Sequence, residues 1–301
     1  GLCRFDNDRI TPIRLPAGAV TMVHQDSAGV LWCGTRLGVF TVVGDSVARF
    51  GLSELNDQVE RVAEVGDSVL WFAHGAFLIS YARSTGQVGR LDCSPFGHGN
   101  LWRLFSDRFG MLYAVMGDGV VVRIRDGNIV DSRLIPAFPI DMGEDDEGNL
   151  WFGGYGGISK VQATSFADAP VQHVTTANGL PENTVRCVYV DREENLWIGG
   201  RDKGLAKFST GSAVRFPLGY LWYWHHHRFA VADSNSHLWI VSDHDLLEVW
   251  RDRFHLWHSA QHGVYRGPAP LPELANGAIG AVALDRKGRL WLTQPGMRSV
   301  V

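Results

Sequence analysis

Residues 145–151 read Asp-Asp-Glu-Gly-Asn-Leu-Trp, and variants of this heptad recur along the chain. Its Asp and Gly are typical of a hairpin turn, because Asp bonds local backbone amides and Gly accepts a positive φ. The Leu-Trp pair then begins an apolar strand. Further copies begin at Asp26, Asp107, Asp191, Asp233 and Asp285, and a degraded copy ends at Trp71, with Gly66-Asp67 in place of the usual turn. Recurrence at every turn predicts a structural role for these Asp residues rather than a catalytic one.

The aromatic residue that ends each copy marks the repeat period. These markers are Trp32, Trp71, Tyr113, Trp151, Trp197, Trp239 and Trp291, with a mean spacing of about 43 residues. A period of this size is typical of a four-stranded propeller blade. The sequence therefore predicts an all-β, seven-bladed β-propeller that occupies residues 1–301 as a single domain. The repeated Trp and Leu residues are expected to pack between blades, with sugar-binding platforms as the alternative.

The two ends of the chain predict how the last blade is completed. Residues 1–5 match residues 204–208, which form a third strand, and residues 7–15 match a fourth strand. The C-terminus supplies a first strand at about 279–284 and a second at 289–293. The last blade is therefore expected to be closed by N-terminal and C-terminal strands, which removes open sheet edges. The alternative is that residues 297–301 form its third strand.

Composition excludes several classes of protein. The 301 residues carry a net charge of −4, which offers no broad basic surface for nucleic acid. No apolar run approaches the roughly 18 residues that a membrane helix needs. The first residues lack a signal-peptide pattern, and the chain does not begin with Met. We expect a soluble piece of a longer protein.

The segment from Asn178 to Leu205 carries a family resemblance. Residues 178–185 (Asn-Gly-Leu-Pro-Glu-Asn-Thr-Val), Asp191 and residues 196–200 (Leu-Trp-Ile-Gly-Gly) resemble the two-component regulator propeller repeat. Residues 31–36 and 150–154 are similar to the same repeat. Glu194 and Ser236 depart from it where Gly is usual, as does Tyr113 where Trp is usual. These departures put local turn geometry in question rather than the fold.

The resemblance implies a place in signalling. Propellers of this family form the extracytoplasmic sensing part of membrane-bound receptors, here expected to be periplasmic. An immunoglobulin-like domain, a membrane helix and a cytoplasmic histidine kinase or diguanylate cyclase typically follow, and a second propeller or a homodimer is compatible with the pattern. Some members respond to oligosaccharides.

The irregular positions between copies predict where a ligand binds. In a four-stranded blade, the loop into the first strand and the loop between the second and third strands emerge on the same face. Those loops are rich in Arg, His and aromatic residues, namely Arg36, His74, Trp102, Arg103, Tyr155, Arg186, Arg201, His226, His227, Arg228 and Gln294. Aromatic faces stack on sugars, and Arg binds carboxylates and sulfates bidentately. We expect an oligosaccharide or anionic small-molecule ligand, with a merely solvated loop face as the alternative.

Other conspicuous residues predict little chemistry. Residues 225–227 are three consecutive His, but neighbouring side chains of a strand point to opposite faces, so a polar loop is favoured over ligand contact or a metal site. The cysteines, Cys3, Cys33, Cys93 and Cys187, lack metal-ligand spacing. Cys33 and Cys187 are expected to be buried thiols in strands. No cofactor is expected, and the Gly-rich residues 153–157 fit a repeat bend rather than a phosphate cradle.

Three functions remain open at the level of sequence. A sensor module is favoured. The alternatives are a propeller enzyme, such as a lyase, lactonase or glycosidase, and a protein-interaction scaffold. An enzyme needs acid, base or metal groups on one face, and only scattered candidates are present, namely Glu60, Asp141 and His227.

Overall fold

A computed structural model describes most of the chain, namely residues 2–6, 9–16, 19–56, 58–59, 61–66, 68–201, 204–209, 212–216, 227–232, 238–242, 245–250, 253–258, 281–285 and 289–293. These residues form strands and turns, together with three 3-10 helices at Ser53–Leu55, Ala163–Ser165 and Thr176–Asn178. None of the described helices is long and apolar enough to span a membrane. The chain divides into two compact units, Ala63–His227 and the combination of Gly1–Val62 with Arg228–Val301.

The described residues form seven four-stranded antiparallel sheets. The sheet that joins the chain ends contains β1 (Leu2–Asp6), β2 (Arg9–Ile13), β27 (Ala281–Leu284) and β28 (Leu290–Thr293). The next contains β3 (Val20–Gln25), β4 (Leu31–Thr35), β5 (Gly38–Val43) and β6 (Ser46–Arg49). A third contains β7 (Arg61–Val65), β8 (Val69–His74), β9 (Phe77–Ala82) and β10 (Val88–Asp92). A fourth contains β11 (Leu101–Ser106), β12 (Leu112–Met116), β13 (Val120–Arg125) and β14 (Asn128–Leu134).

The remaining sheets repeat the same up-and-down order. One contains β15 (Pro139–Glu144), β16 (Asn149–Gly154), β17 (Gly157–Gln162) and β18 (Gln172–Val174). Another contains β19 (Val185–Val190), β20 (Leu196–Gly200), β21 (Leu205–Ser209) and β22 (Ser212–Phe216). The last contains β23 (His227–Ala232), β24 (Leu238–Ser242), β25 (Asp245–Trp250) and β26 (Arg253–His258). The predicted all-β, β-propeller architecture is confirmed.

The core lies along the second strand of each sheet. Strands β4, β12 and β20 are buried at every position, whereas β6 is mostly exposed. Each second strand has neighbours on both edges and apolar side chains on both faces, which is why it lacks polar alternation. The polar fourth strand presents less apolar edge for pairing with other chains.

The terminal strands close one sheet as predicted. Strand β1 pairs on one side with β2 and on the other with β28, where Phe5 faces Leu290. Trp291 of β28 packs in one core cluster with Leu2 of β1 and Val20 of β3. The third strand of this sheet is therefore supplied by the N-terminus, and the alternative that residues 297–301 supply it is wrong.

In the described copies that end in Trp, the repeated Asp forms a pin between its turn and that Trp. In the β3–β4 hairpin, Asp26 Oδ1 accepts from the backbone amides of Ala28 and Val30 at 3.0 and 2.8 Å. Asp26 Oδ2 accepts from Trp32 Nε1 at 2.8 Å. The same indole bond joins Asp145 to Trp151, Asp191 to Trp197 and Asp285 to Trp291. The six-residue spacing of the motif is the distance along the chain that this pin requires.

Tyr113 satisfies the same geometry with a different donor. Its hydroxyl donates to Asp107 Oδ2 at 2.9 Å, and its side chain is completely buried. Burial raises the pKa of Tyr113 further above its ordinary range, and the adjacent Asp107 carboxylate acts in the same direction. The departure from Trp noted in the sequence therefore preserves the pin.

Glu194 occupies a turn position that favours glycine. Its φ is +62°, close to the +76° to +84° of Gly29, Gly110 and Gly148 at the same position of their turns. Its carboxylate compensates by accepting from the backbone amide of Asp146, in the preceding sheet, with both oxygens at 3.2 Å. The turn keeps its geometry despite the departure from the repeat. The corresponding Ser236 lies outside the described residues.

We expect Glu194→Gly to be more stable than Glu194→Ala by about 1 kcal/mol. Both variants lose the bond to the Asp146 amide. The positive φ strains the alanine variant, whereas glycine adopts it without strain. Urea unfolding of the two variants measures the difference. Equal midpoints would show that the positive φ carries no cost in this turn.

Candidate functional site

Four of the predicted ligand-binding residues lie together in the unit Ala63–His227. The rings of Trp102 and Tyr155 are 6.1 Å apart, and the Arg186 guanidinium lies 5.1 Å from the Tyr155 ring. Arg186 Nη1 donates to the Tyr155 hydroxyl at 3.4 Å, a long hydrogen bond. Arg103 lies 5.9 Å from the Trp102 ring. We call Trp102, Arg103, Tyr155 and Arg186 the aromatic–arginine cluster.

β-Bulges place two members of this cluster. The register of β11 on β12 shifts between Leu101 and Arg103, which leaves Trp102 as the extra residue. The register of β19 on β20 shifts between Val185 and Cys187, which leaves Arg186 as the extra residue. A bulge re-aims the side chain of the extra residue out of the regular alternation. Trp102 and Arg186 are therefore the unpaired extra residues at the same position of β11 and β19, the first strands of their sheets.

Close backbone packing places Tyr155 at the apex of the β16–β17 hairpin. A side chain on Gly154 would collide with the carbonyl oxygens of Ala137 and Phe138, and one on Gly156 with the carbonyl of Pro136. Glycine alone lets the loop before β15 lie against this hairpin. Tyr155 itself stays 43% exposed, so its ring is available beside Trp102, which is 37% exposed. The Gly-rich residues form a hairpin bend, and their glycines allow this close packing.

Arg103 of the cluster acts electrostatically on Asp141. Arg103 Nε donates to the Ile140 carbonyl at 2.9 Å, and its Nη1 donates to the Trp102 carbonyl at 2.8 Å. Asp141 Oδ2 accepts from the Val188 amide of the neighbouring strand β19 at 2.9 Å. Burial raises the pKa of Asp141 to about 7, against the opposing effects of the amides of Val188 and Met142 and of the Arg103 charge. This carboxyl can therefore gain or lose a proton near neutral pH.

The hydrogen-bonding groups of Arg186 are incompletely satisfied within the described part of the chain. Its Nε is buried and has no hydrogen-bond partner among the described residues. A guanidinium whose Nε and one Nη remain available presents the fork that binds a carboxylate or sulfate bidentately. The neighbouring aromatic rings offer flat faces for a sugar or another planar group. The arrangement can bind an anionic, partly apolar ligand.

Sequence reasoning missed Phe138 in this region. Phe138 is 42% exposed, has a φ of +50°, and lies against Gly119 of the β12–β13 hairpin. Its position in the loop before β15 is equivalent to that of the predicted residues in other copies, and this equivalence was the available signal. Asp141 was noted only as a scattered acid candidate, because nothing in the sequence shows its approach to Arg103.

The other predicted residues lie elsewhere or outside the described part of the chain. Arg36 is exposed in the β4–β5 turn of the other unit. His74 ends β8, and exposed Arg201 follows β20, where its backbone amide donates to the Thr184 carbonyl at 3.0 Å. His226 and Gln294 lie outside the described residues, as do the side chains of His227 and Arg228 at the start of β23. Glu60 and His225 also lie outside them.

Metal and thiol chemistry find little support in the described residues. Within the described ranges, no group of three His, Cys, Asp or Glu side chains could hold a metal ion. All four cysteines are buried, and Cys33 and Cys187 lie in strands β4 and β19 as predicted. Burial raises the pKa of Cys33 to about 12, which keeps it protonated and unreactive at neutral pH.

Comparisons with known proteins find similar structures among sensor domains and among enzymes. A search of curated proteins found no match. The extracellular domain of a hybrid two-component system from B. thetaiotaomicron is 19% identical, with a TM-score of 0.70 over 94% of this chain and 39% of that one. A catalytically inactive virginiamycin B lyase from Staphylococcus aureus, solved with quinupristin, is 10% identical, with a TM-score of 0.71 over 98% of this chain and 99% of that one.

Another similar structure is again an extracellular signalling domain. The domain of a one-component system from B. thetaiotaomicron is 12% identical, with a TM-score of 0.58 over 95% of this chain and 53% of that one. At such identities the likeness shows the β-propeller fold. The chain spans well under half the length of the hybrid-system domain. The profile described as two component regulator propeller matches residues 179–202. The chain thus carries a two-component regulator propeller repeat within a β-propeller fold, as its sequence predicted.

Proposed function

We propose that this chain is the ligand-sensing periplasmic domain of a bacterial membrane-bound signalling receptor, and that it binds an anionic sugar or a similar small molecule at the aromatic–arginine cluster. The observation that carries this proposal is the buried Nε of Arg186, which has no partner among the described residues and lies beside the exposed rings of Tyr155 and Trp102. A buried donor without an acceptor costs free energy that an anionic ligand would recover.

The comparisons support the receptor context. Two of the similar structures are extracellular domains of signalling systems, and the regulator repeat occurs within the chain. The rest of the receptor, with an immunoglobulin-like domain, a membrane helix and a cytoplasmic kinase or cyclase, belongs to the same proposal. So does the arrangement of the seven four-stranded sheets as the blades of one propeller domain.

One observation favours a second candidate, an enzyme. Asp141, with its pKa near 7, lies within the electrostatic reach of Arg103 and could act as a general acid or base. Lyases share the fold at low identity. The sensor proposal predicts that a bound ligand is recovered unchanged, whereas the enzyme proposal predicts turnover that Asp141→Asn abolishes.

The sensor proposal is tested by calorimetric titration with a disaccharide that contains glucuronate, with cellobiose as its neutral counterpart. We expect the anionic sugar to bind at least 10-fold more tightly than cellobiose, because a charged hydrogen-bonded pair contributes about 1.5–3 kcal/mol. Arg186→Ala should remove that preference. Product analysis of the same samples detects any turnover.

Arg192→Ala is the matched control for this titration. Arg192 is exposed in the β19–β20 turn, at the opposite end of β19 from Arg186. It carries the same charge and should leave affinity unchanged. If Arg186→Ala and Arg192→Ala bind the disaccharide equally well, the cluster is not the binding site.

A further inference from the structure

Trp71 is the described exception to the Asp–Trp pin. The residue six positions before it, where the other copies have Asp, is Val65. The Trp71 side chain is nonetheless 94% buried, at 6% exposure, and its indole N–H finds no hydrogen-bond partner among the described residues. Val65 and Trp71 line the same cleft. The Asp carboxylate that accepts from the indole in the hairpins of Trp32, Trp151, Trp197 and Trp291 is missing from this one.

A large cleft lies at this position. It has a volume of about 830 Å³ between the β7–β10 and β11–β14 sheets, and its walls include Val65, Val69, Trp71, Phe109, Leu112 and Arg125. The equivalent cleft between the β11–β14 and β15–β18 sheets is about 380 Å³. Arg108 spans that smaller cleft through ion pairs to Glu144 and Asp146, at 3.2 and 3.0 Å.

The walls of the larger cleft define the chemistry of its occupant. Val65, Val69, Leu112 and the two aromatic rings offer apolar contact. Phe109 is 61% exposed at the opening, and the Arg108 guanidinium lies 5.0 Å from the centre of its ring. The polar requirements are an acceptor for the Trp71 N–H and an anion for exposed Arg125 at the rim, while Asp126 beside it disfavours a second negative charge. An apolar ring with one carboxylate meets all three conditions.

We propose that the cleft between the β7–β10 and β11–β14 sheets is a second binding site, which takes a monocarboxylate with an aromatic or alicyclic ring. The loss of the Asp at position 65 creates the site, because it frees the Trp71 donor. The site lies at the hairpin ends of β7 and β11, whereas the aromatic–arginine cluster lies at the opposite end of β11. The two sites are therefore separate.

The test uses 2-naphthoate as the probe and follows the indole N–H signals of the 15N-labelled domain, with Trp71→Phe to assign the Trp71 signal. We expect saturable movement of that signal. 2-Naphthamide, which keeps the rings without the charge, should bind at least 10-fold more weakly. Arg125→Ala should remove the difference between the two probes.

Val65→Asp is the decisive variant, since it restores the acceptor that the other copies use. It should weaken 2-naphthoate binding at least 10-fold while the domain stays folded. Trp32→Phe, which alters a pinned Trp of the other unit, should leave binding unchanged. An unmoved Trp71 signal, or Val65→Asp binding as tightly as the natural sequence, would overturn the proposal. Equal binding of the amide and the acid would overturn the assignment of the carboxylate.

Discussion

Asp191→Ala should destabilise the domain by about 3–4 kcal/mol. The carboxylate accepts from the backbone amides of Glu193 and Asn195 at 3.1 and 2.7 Å, and from Trp197 Nε1 at 2.7 Å. Truncation leaves these donors without their charged acceptor, and the Trp197 side chain is only 7% exposed. Urea unfolding should show a lower midpoint with an unchanged slope.

Two controls separate the pin from general damage to a turn. Arg192→Ala alters the next residue, whose side chain is exposed, and should change the free energy of unfolding by less than about 0.5 kcal/mol. Trp197→Phe removes a bonded indole N–H, whereas Trp71→Phe removes one without a described partner. The first should cost about 1–2 kcal/mol more than the second. Equal losses in the two Trp variants would contradict the pin as a source of stability.

The stability of the domain should fall as pH rises from about 4 to 7, and Asp141→Asn should remove much of that fall. Burial raises the pKa of Asp141 from 3.8 to about 7. In this window the folded protein holds a proton on Asp141 that the unfolded chain has already released. The free energy of unfolding therefore decreases as pH rises through the window, by roughly 2–4 kcal/mol from this group, and is level above it.

The comparison of the natural sequence with Asp141→Asn isolates this group. The pKa of Glu144 is also raised by burial, so Glu144 contributes a fall of the same sign to both proteins. Asparagine keeps an oxygen that can accept from the Val188 amide and cannot ionise. Urea unfolding at pH 4.5 and pH 8 should give a larger stability difference between the two proteins at pH 8. Parallel pH profiles would show that Asp141 ionises normally in the folded state.

Much of the fold could be predicted because its information is local. The interval from Asp26 to Trp32 is the reach of one side chain across its own hairpin, so a repeated spacing reports a repeated hydrogen bond. Closure by the chain ends could be predicted because residues 1–5 repeat the pattern of a third strand, and β1 pairs with β28 accordingly. Glu194 shows the limit of prediction from local sequence, because its compensating hydrogen bond comes from an amide in another sheet.

The candidate site was predicted only as a set of residue types. Trp102, Arg103, Tyr155 and Arg186 were all named, yet nothing in their spacing shows that they meet. Arg36 was named on the same grounds and lies in the other unit. Loop position could be read from the repeat, whereas proximity depends on how neighbouring sheets pack.

The sequence by itself determined the all-β repeat, the turn of each hairpin and the source of the closing strands. Each of these rests on contacts within one hairpin or between matching strands, and such contacts leave a periodic pattern. Only the tertiary structure decided that bulges turn out Trp102 and Arg186, that Asp141 accepts from the Val188 amide, and that a cleft opens beside Trp71. The physical reason is that these features arise between sheets, where burial and the absence of a partner depend on residues distant in the chain.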